Sequence, residues 1–173
     1  MDVHIRIANV EDVPEISYLG KKTFDQSFGY LFRDRSDLIE YLSSTFSIEK
    51  LTSSISKSYN LYWIAHYGDN AIGYAKIQLN SPSEFVKSEH SCKLQKNYIL
   101  KEYLSRGIGA QLQKRICSEA IANDTDYIWL SVLKSNSKAI QFYEKNDYNI
   151  IGEHPFSIGK ENFEFWVMGK YLK

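Results

Sequence analysis

The apolar and polar positions of the chain follow a strand period first and a helical period after it. Residues 3–7 alternate between apolar and polar side chains, which is typical of a half-buried strand. From Asn9, a residue type that often begins helices, apolar residues recur at helical spacing to about residue 28. The same spacing predicts a second helix over about 36–46 and a short third helix after Ser47. We therefore expect one strand followed by two or three helices.

The period changes again in the aromatic segment that follows. Residues 61–67 and 71–79 are rich in β-prone side chains, and the turn at 68–70 predicts a hairpin. After a polar loop at 80–90, the chain predicts strands over 92–100, 127–132, 148–153 and 163–171, with helices over about 107–123 and 137–145. The order β-α-α-β-β-β-α-β-α-β-β predicts a single α/β domain over residues 1–173, in which a mixed sheet has helices on both sides.

Composition then limits the classes of partner. Lysine plus arginine and aspartate plus glutamate both number 21, so the zero net charge predicts neither nucleic acid nor an anionic membrane as a partner. No window approaches about 18 apolar residues, so we expect a soluble, cytoplasmic protein. Cys92 and Cys117 match no metal-ligand spacing, and we expect reduced, buried thiols and no metal.

Two glycines, Gly107 and Gly109, stand at the start of the helix predicted over 107–123. Glycine has no Cβ and lets the backbone approach a ligand closely. The first turn of a helix has N–H groups without intrahelical partners and the positive end of the dipole, so it suits a phosphate. The same glycines would serve a tight strand-to-helix turn, and the third glycine of the dinucleotide fingerprint is absent. On this pair alone, the two interpretations have equal weight.

The surrounding elements favour a ligand site. The strands over 92–100 and 127–132, with the helix between them, form a βαβ unit, so the two strands are predicted to be parallel. Ligands of open α/β sheets bind at the carboxyl ends of such strands. The glycine turn, the segment after Val132 and the start of the next helix all reach that edge.

This next helix carries a family signature. Asn136, Ala139, Phe142 and Tyr143 match the pattern Asn-x-x-Ala-x-x-Phe-Tyr, which resembles the C-terminal motif of the GNAT acetyltransferase superfamily. The segment Arg-Gly-Ile-Gly at 106–109 is similar to the acetyl-CoA motif of the same superfamily. The two motifs stand 30 residues apart in the expected order, and the predicted order of strands agrees with the GNAT fold.

A narrower resemblance extends over nearly the whole chain, to the PaiA-type polyamine N-acetyltransferases. The matching stretches are Thr23-Phe24-x-x-Ser27-Phe28, Tyr41-Leu42-x-x-x-Phe46, Ile72-Gly73-Tyr74-x-Lys76, Ile128-Trp129-Leu130 and His154-x-Phe156-x-x-Gly159. This resemblance implies acetyl transfer from acetyl-CoA directly to the primary amine of a small substrate, such as spermidine or spermine.

The resemblance also implies a role for individual residues. The backbone of Ile99, Leu100 and Lys101 would pair with the pantetheine arm of acetyl-CoA, and Asn136 would hydrogen-bond it. Tyr143 would protonate the departing thiolate, a task that suits a phenol with an ordinary pKa of about 10. The pyrophosphate would be bound by the main-chain N–H groups of Arg106, Gly107, Ile108, Gly109 and Ala110. Two structural alternatives remain open: Tyr143 as core packing beside Phe142, and Asn136 as a helix N-cap, which is compatible with ligand binding.

The chain departs from the family pattern at two positions. Leu104 stands where the acetyl-CoA motif begins with Gln or Arg, so phosphate binding is expected to depend on backbone N–H groups, with help from Arg106 or Lys101. Asp147 replaces the usual glycine after the Tyr143 helix. Asn and Asp tolerate a left-handed backbone better than most residues, so we expect the Asn146-Asp147 turn to form.

The residue that removes the proton from the amine is left open by the sequence. The predicted strand over 92–100 has no carboxylate, and Gln95 or Asn97 would at most orient a water molecule. The other candidates are His90, Glu89, Glu84, Asp25 and His154, with a structural role favoured for His154 beside Pro155.

Substrate and assembly are similarly open. A carboxylate-lined cleft would suit a polyamine, and Asp25, Asp34, Asp37 and Glu40 would supply it, although a solvated helix face explains them equally well. The alternatives are another amine (a peptide N-terminus, an antibiotic or an amino acid), a non-catalytic acyl-CoA-binding regulatory domain and, remotely, a nucleotide-binding module. The aromatic segment 163–167 would suit the edge of a homodimer.

Overall fold

Seven strands form one sheet in the computed structural model, which describes residues 2–173, and the strand order is β1-β2-β3-β4-β5-β7-β6. The elements in chain order are β1 (Val3–Ile7), α1 (Val13–Phe28), α2 (Arg35–Thr45), α3 (Ile48–Ile55), β2 (Asn60–Tyr67), β3 (Asn70–Gln78), β4 (Ser91–Ile99), α4 (Ile108–Ala122), β5 (Tyr127–Leu133), α5 (Ser137–Glu144), β6 (Asn149–Ile158) and β7 (Glu161–Tyr171). The predicted α/β fold is confirmed, and three helices lie between β1 and β2, where two or three were expected.

Helices cover the sheet on both faces, as the pattern predicts. On one face, Ile108, Leu112 and Ile116 of α4 pack against buried residues of the central strands. This is the α4–α5 face, because α5 also packs there. On the opposite, α1–α3 face, a second cluster joins the helices to the sheet; its fully buried members include Ile16, Leu19, Leu38, Phe46, Ile64 and Tyr74.

The central strands β4 and β5 run parallel, as predicted, but pair over three residues only. The register joins Ser91–Lys93 to Tyr127–Trp129. Beyond Lys93 and Trp129 the described strands have no further paired residues, although β4 continues to Ile99 and β5 to Leu133. We call this separation the β4–β5 opening. Here β4 is paired only with β3, and a bulge leaves Gln95 without a partner on β3.

Two predicted strands are longer than the pattern indicates. The strand predicted over 148–153 is β6, which continues to Ile158, and the one predicted over 163–171 begins at Glu161. Together they form a long hairpin. Pro155 lies inside β6 because β6 is an edge strand, where a missing backbone N–H is tolerated.

The segment 163–167 does not form an edge, and that prediction is wrong. It belongs to β7, which lies between β5 and β6 and is paired with both. Asn9 was expected to cap the first long helix directly. Its side chain instead caps a 3-10 turn at Val10–Asp12, and α1 follows that turn.

The described residues, 2–173, contain no helix long and apolar enough to cross a membrane. Within the same range, no group of three or more His, Cys, Asp or Glu side chains is arranged to hold a metal ion. Cys92 and Cys117 are both free thiols. Burial raises the pKa of Cys92 to about 12, so this thiol is not a nucleophile at neutral pH.

Candidate active site

The start of α4 is shaped by a left-handed glycine. Gly107 is the N-cap of α4 and has a φ of 77°. A Cβ added to Gly107 would meet no atom within 4 Å, so glycine is needed here for the backbone conformation and not for space. The first intrahelical bond is donated by the Gln111 N–H to the Gly107 carbonyl. The N–H groups of Ile108, Gly109 and Ala110 precede it and remain available to an anion.

Gly109 has a different function, which the sequence did not reveal. A Cβ at this position would lie 3.2 Å from the Phe142 ring and 3.6 Å from the Ile99 side chain. The absent side chain therefore lets α5 pack closely against the first turn of α4. Gly109 joins the glycine motif physically to the Asn136–Tyr143 motif, so the two sequence signals belong to one packed unit.

The polar residues before α4 lie at the surface. Lys101 and Arg106 are exposed, and the Arg106 guanidinium packs on the Tyr103 ring at 5.1 Å from its centroid. Leu104 is 51% exposed. Leu104 offers no side-chain donor in place of the motif's Gln or Arg, and Lys101 and Arg106 are exposed cations near it in the sequence. Phosphate binding by the backbone N–H groups at the start of α4 stays a prediction.

Of the three residues predicted to pair with pantetheine, Ile99 is the one that faces the opening. The Leu100 N–H donates to the Ile72 carbonyl on the β3 side, at 2.9 Å. Because backbone groups alternate along a strand, those of Ile99 point toward the β4–β5 opening. The Lys101 N–H donates to Gln26 Oε1 at 3.0 Å. The N–H groups of Leu100 and Lys101 are thus already bound within the protein.

Asn136 begins α5 as its N-cap. Its Oδ1 accepts a hydrogen bond from the Ala139 N–H at 3.2 Å, so the N-cap interpretation is confirmed. The amide N–H₂ group is not used by this cap and can donate to a ligand. Capping fixes the side chain at the edge where β5 ends.

Tyr143 lies on the α4–α5 face, where it packs against the core beside Tyr148. Burial raises the pKa of Tyr143 to about 12, whereas the neighbouring Asn97 amide, by hydrogen bonding, acts in the opposite direction. The phenol is therefore fully protonated at neutral pH. Core packing and an available proton occur together at this residue.

Asn97, which the sequence predicts at most to orient a water molecule, lies beside Tyr143. Its Oδ1 is buried and has no hydrogen-bond partner among residues 2–173. An unsatisfied buried acceptor is costly, so a donor is expected there when the site is filled. The pantetheine arm carries amide N–H groups, which fit this acceptor and the open edge of β4. The residues present therefore suit acetyl-CoA.

Most of the candidate bases lie away from the opening. Glu84, Glu89 and His90 belong to the exposed loop before β4, and His90 is 3.6 Å from Asp124. Asp25 accepts two hydrogen bonds from Arg35, at 2.8 and 2.9 Å, which lower its pKa.

His154 and Gln95 lie on strands near the opening. The His154 Nε2 is 2.9 Å from Ser131 Oγ, and its Nδ1 is 3.0 Å from the Pro155 carbonyl oxygen. A carbonyl only accepts, so Nδ1 carries the proton and Nε2 is the basic nitrogen in neutral His154. Gln95, at the bulge, donates to Gln78 Oε1 at 2.5 Å.

We call the stretch with Asp25, Asp34, Asp37 and Glu40 the acidic segment. Most of its carboxylates accept hydrogen bonds from cationic residues of the protein. Lys160, in the turn of the β6–β7 hairpin, donates from Nζ to Asp34 at 2.6 Å and from its backbone N–H to Asp37 at 2.8 Å. Arg33 donates to Glu161 in the same hairpin at 3.0 Å. These contacts attach the tip of the hairpin to the segment between α1 and α2, so Asp34 and Asp37 have structural partners.

Comparison with known proteins identifies the class. Residues 27–148, well over half of the chain, match the acetyltransferase (GNAT) family. The chain belongs to this family. It is an N-acetyltransferase with acetyl-CoA as the acetyl donor.

The similarity to individual proteins extends over nearly the full length of the chain. An uncharacterized N-acetyltransferase in the pepI 3' region of Lactobacillus delbrueckii subsp. lactis is 23% identical over 164 residues, which cover 94% of this chain and 93% of the relative. The PaiA N-acetyltransferase of Thermoplasma acidophilum, solved with coenzyme A, has a TM-score of 0.76 and 19% identity, and covers 99% of both chains. The ribosomal-protein-S18-alanine N-acetyltransferase of Escherichia coli has a TM-score of 0.72 and 15% identity, with 99% of this chain and 94% of that chain covered.

Proposed function

We propose that this chain transfers an acetyl group from acetyl-CoA directly to the primary amine of a small molecule. The observation that supports this most strongly is the position of Tyr143. Its protonated phenol lies beside the unsatisfied Asn97 carbonyl oxygen at the open edge of β4, on the face where α4 begins. A proton donor, an open strand edge and an anion-binding helix start are the three parts that the transfer requires.

Each part has a chemical task. Acetyl-CoA supplies an activated thioester. The backbone N–H groups at the start of α4 bind its phosphates, and Ile99, Asn97 and Asn136 orient its arm along β4. Tyr143 donates its proton to the leaving sulfur and stabilises the negative charge that develops there.

The amine must lose a proton before it attacks, since an amine with a pKa near that of lysine is almost entirely charged at pH 7. We take His154 as the candidate base, because its imidazole contacts Ser131 of β5. Ser131 alternates with Leu130 and Val132 of the α4–α5 cluster, so it faces the opposite side of the sheet. The contact of His154 with Ser131 therefore puts the imidazole on the α1–α3 face, away from Tyr143. The two proton transfers would then take place on opposite faces of the sheet, with Tyr143 as the proton donor on one face and His154 as the proton acceptor on the other.

Spermidine and spermine are the first acceptors to test. The resemblance to the PaiA type supports them, as does the acidic segment, in which Glu40 is exposed. The pairing of Asp25, Asp34 and Asp37 with Arg35 and Lys160 weakens this support, because the carboxylates are already neutralised.

The experiment is a measurement of CoA release with acetyl-CoA and a panel of amines, with mass spectrometry of the products. The panel contains spermidine, spermine, amino acids and a peptide with a free N-terminus. Acetylation of any panel amine supports the proposal. If acetyl-CoA raises the melting temperature but no amine releases CoA, the chain is an acyl-CoA-binding domain without turnover.

A further inference from the structure

Two lysines project side by side from the α1–α3 face of the sheet. Lys76 on β3 and Lys96 on β4 are directly paired, so their side chains leave the sheet on the same side. The Lys96 Nζ packs on the Phe46 ring at 5.3 Å, and the Lys76 Nζ packs on the Tyr62 ring at 5.4 Å. Both rings belong to the buried cluster of this face.

Lys93 is the third member of what we call the lysine cluster. Its Nζ is 4.4 Å from the centroid of Trp129, its partner in the last β4–β5 pair. Lys96 lies three residues further along β4, where β5 no longer pairs with it. The cluster thus extends from the closed end of the β4–β5 opening into the opening itself.

The lysine cluster has no carboxylate to balance it. Within residues 2–173, no Asp or Glu oxygen lies within 4.0 Å of Nζ of Lys76, Lys93 or Lys96. Other lysines without an ion pair, such as Lys21 and Lys50, are exposed to water, whereas these three are half-buried. Burial, reinforced by the nearby Lys96, Lys57 and Lys50, lowers the pKa of Lys76 to about 8. Burial also lowers the pKa of Lys93 and Lys96. Half-buried cations without counter-charges are costly, which indicates that an anion completes the group.

The lysine cluster is also connected to the reacting centre. The Lys96 Nζ is 3.5 Å from Tyr98 Oη. Tyr98 in turn follows Asn97, the residue beside Tyr143, along β4. A molecule that enters the opening from the α1–α3 face would therefore meet Lys96 just before it reaches the region of Tyr143.

We infer that the acceptor carries an anionic group, a carboxylate or a phosphate, in addition to its primary amine, and that Lys96 and Lys76 bind this group. The inference rests on the proposed acetyl transfer. An anion at this place would neutralise the half-buried cations, while a polyamine would add positive charge beside them, and like charges brought together in an interface are strongly disfavoured. The same surface thus favours an amino acid or a phosphoamine over a polyamine.

The test compares acceptors that differ only in the anionic group. Lysine is paired with cadaverine, ornithine with putrescine, and phosphoethanolamine with ethanolamine, and kcat/KM is measured for each by CoA release. We expect the anionic member of at least one pair to be preferred by tenfold or more, and the pair that shows it distinguishes carboxylate from phosphate. A preference for the anion-free member of every pair, or for spermidine over all of them, would overturn the inference while acetyl transfer itself stands.

Variants identify the lysines that bind the anion. Lys96→Met should lower kcat/KM for the anionic member tenfold or more, with little effect on its anion-free partner and on the KM for acetyl-CoA. Lys96→Arg should retain most of the preference because it keeps the charge. Equal losses for both members of a pair would contradict anion binding by Lys96. Should Lys96→Met not fold, Lys76→Met gives the same test at the adjacent position.

Lys170→Met is the matched control. Lys170 also packs on an aromatic ring, that of Tyr148 at 5.0 Å, but it is paired with Ile128 at the closed end of β5. Its replacement should leave the preference between pair members unchanged. If no amine of either kind releases CoA, the proposed acetyl transfer fails, which is a different outcome from a preference of the wrong sign.

Discussion

The two faces of the sheet meet at the β4–β5 opening and are assembled in different ways. On the α4–α5 face, the candidate residues for acetyl-CoA lie between Asn97 and Tyr143, within one stretch of the chain. On the α1–α3 face, the groups near the opening come from distant parts of the chain. They are the lysines of β3 and β4, the aromatic rings on which these lysines pack, and the β6–β7 hairpin, which is joined to Arg33 across 128 positions of sequence. The first face depends on local backbone geometry and the second on long-range packing.

The two faces therefore place different requirements on their residues. The proposed phosphate binding would use helix N–H groups, which any sequence offers provided that Gly107 takes a positive φ and Gly109 leaves space for Phe142. An acceptor is distinguished by side-chain charge, and charge at a half-buried position depends on every neighbour. Changes on the α4–α5 face should therefore impair binding or chemistry for all acceptors, while changes on the α1–α3 face should alter the choice among them.

The largest effect is expected from Tyr143→Phe, which removes the proton donor and keeps the ring. We expect kcat to fall by about 10²-fold or more for every acceptor, as is typical for the loss of a general acid, while the KM for acetyl-CoA changes little. Initial rates of CoA release at saturating acetyl-CoA measure this.

Tyr148→Phe provides the matched control. The Tyr148 hydroxyl is buried as well, but it donates to Gln113 Oε1 at 3.1 Å and does not reach the opening. Its loss should reduce stability by about 1 kcal/mol and leave kcat nearly unchanged. Equal kcat values for Tyr143→Phe and Tyr148→Phe would remove Tyr143 from the chemistry.

Gly107→Val tests the left-handed start of α4 on the same face. A β-branched residue at a φ of 77° costs roughly 1–2 kcal/mol, so we expect the affinity for acetyl-CoA to fall about tenfold. Isothermal titration with CoA measures the affinity directly. Gly107→Asn should lose much less, because asparagine tolerates a left-handed backbone. A similar loss in both variants would mean that the glycine is needed for close approach of the ligand and not for its conformation.

Glu161→Gln tests the α1–α3 face through its hairpin. The Glu161 side chain accepts from the Arg33 backbone N–H at 2.9 Å and from its guanidinium at 3.0 Å. Glutamine keeps an acceptor but loses the charge. An exposed ion pair of this kind stabilises a contact only weakly, so we expect the KM for the acceptor to rise by a factor of a few at most. The KM for acetyl-CoA should stay constant, and a change in it would show that the hairpin influences both faces.

The contrast between the faces also explains why some features of the site could be predicted from the sequence and others could not. The glycine turn, the Asn136 cap and the left-handed Asp147, at a φ of 67°, were all predictable because each depends on neighbours within a few residues. The pairing of Asp34 with Lys160 and the grouping of Lys76 with Lys96 were not, since they depend on the register between distant strands and on the path of the β6–β7 hairpin. The acidic segment was therefore considered as a polyamine site, which the PaiA resemblance implied, while the lysines that the fold brings together were missed.

The smallest expected effect is on the stability of the folded protein. Its measurement tests whether the lysine cluster contributes to the stability of the fold or to ligand binding. Lys76 has a pKa of about 8 in the folded protein, below its ordinary value of 10.5. Below pH 8 it is charged in both states, so the fold bears the full cost of that charge; between pH 8 and 10.5 the unfolded chain binds the extra proton, and stability rises with pH. Lys76→Met should therefore raise the melting temperature at pH 7 by about 2–4 °C for each 1 kcal/mol gained, and flatten the rise between pH 8 and 9.5. Lys21→Met, at an exposed position of α1, should do neither. A residue whose removal stabilises the protein but abolishes the preference for anionic acceptors is retained for the ligand, whereas a loss of stability would show that Lys76 supports the fold.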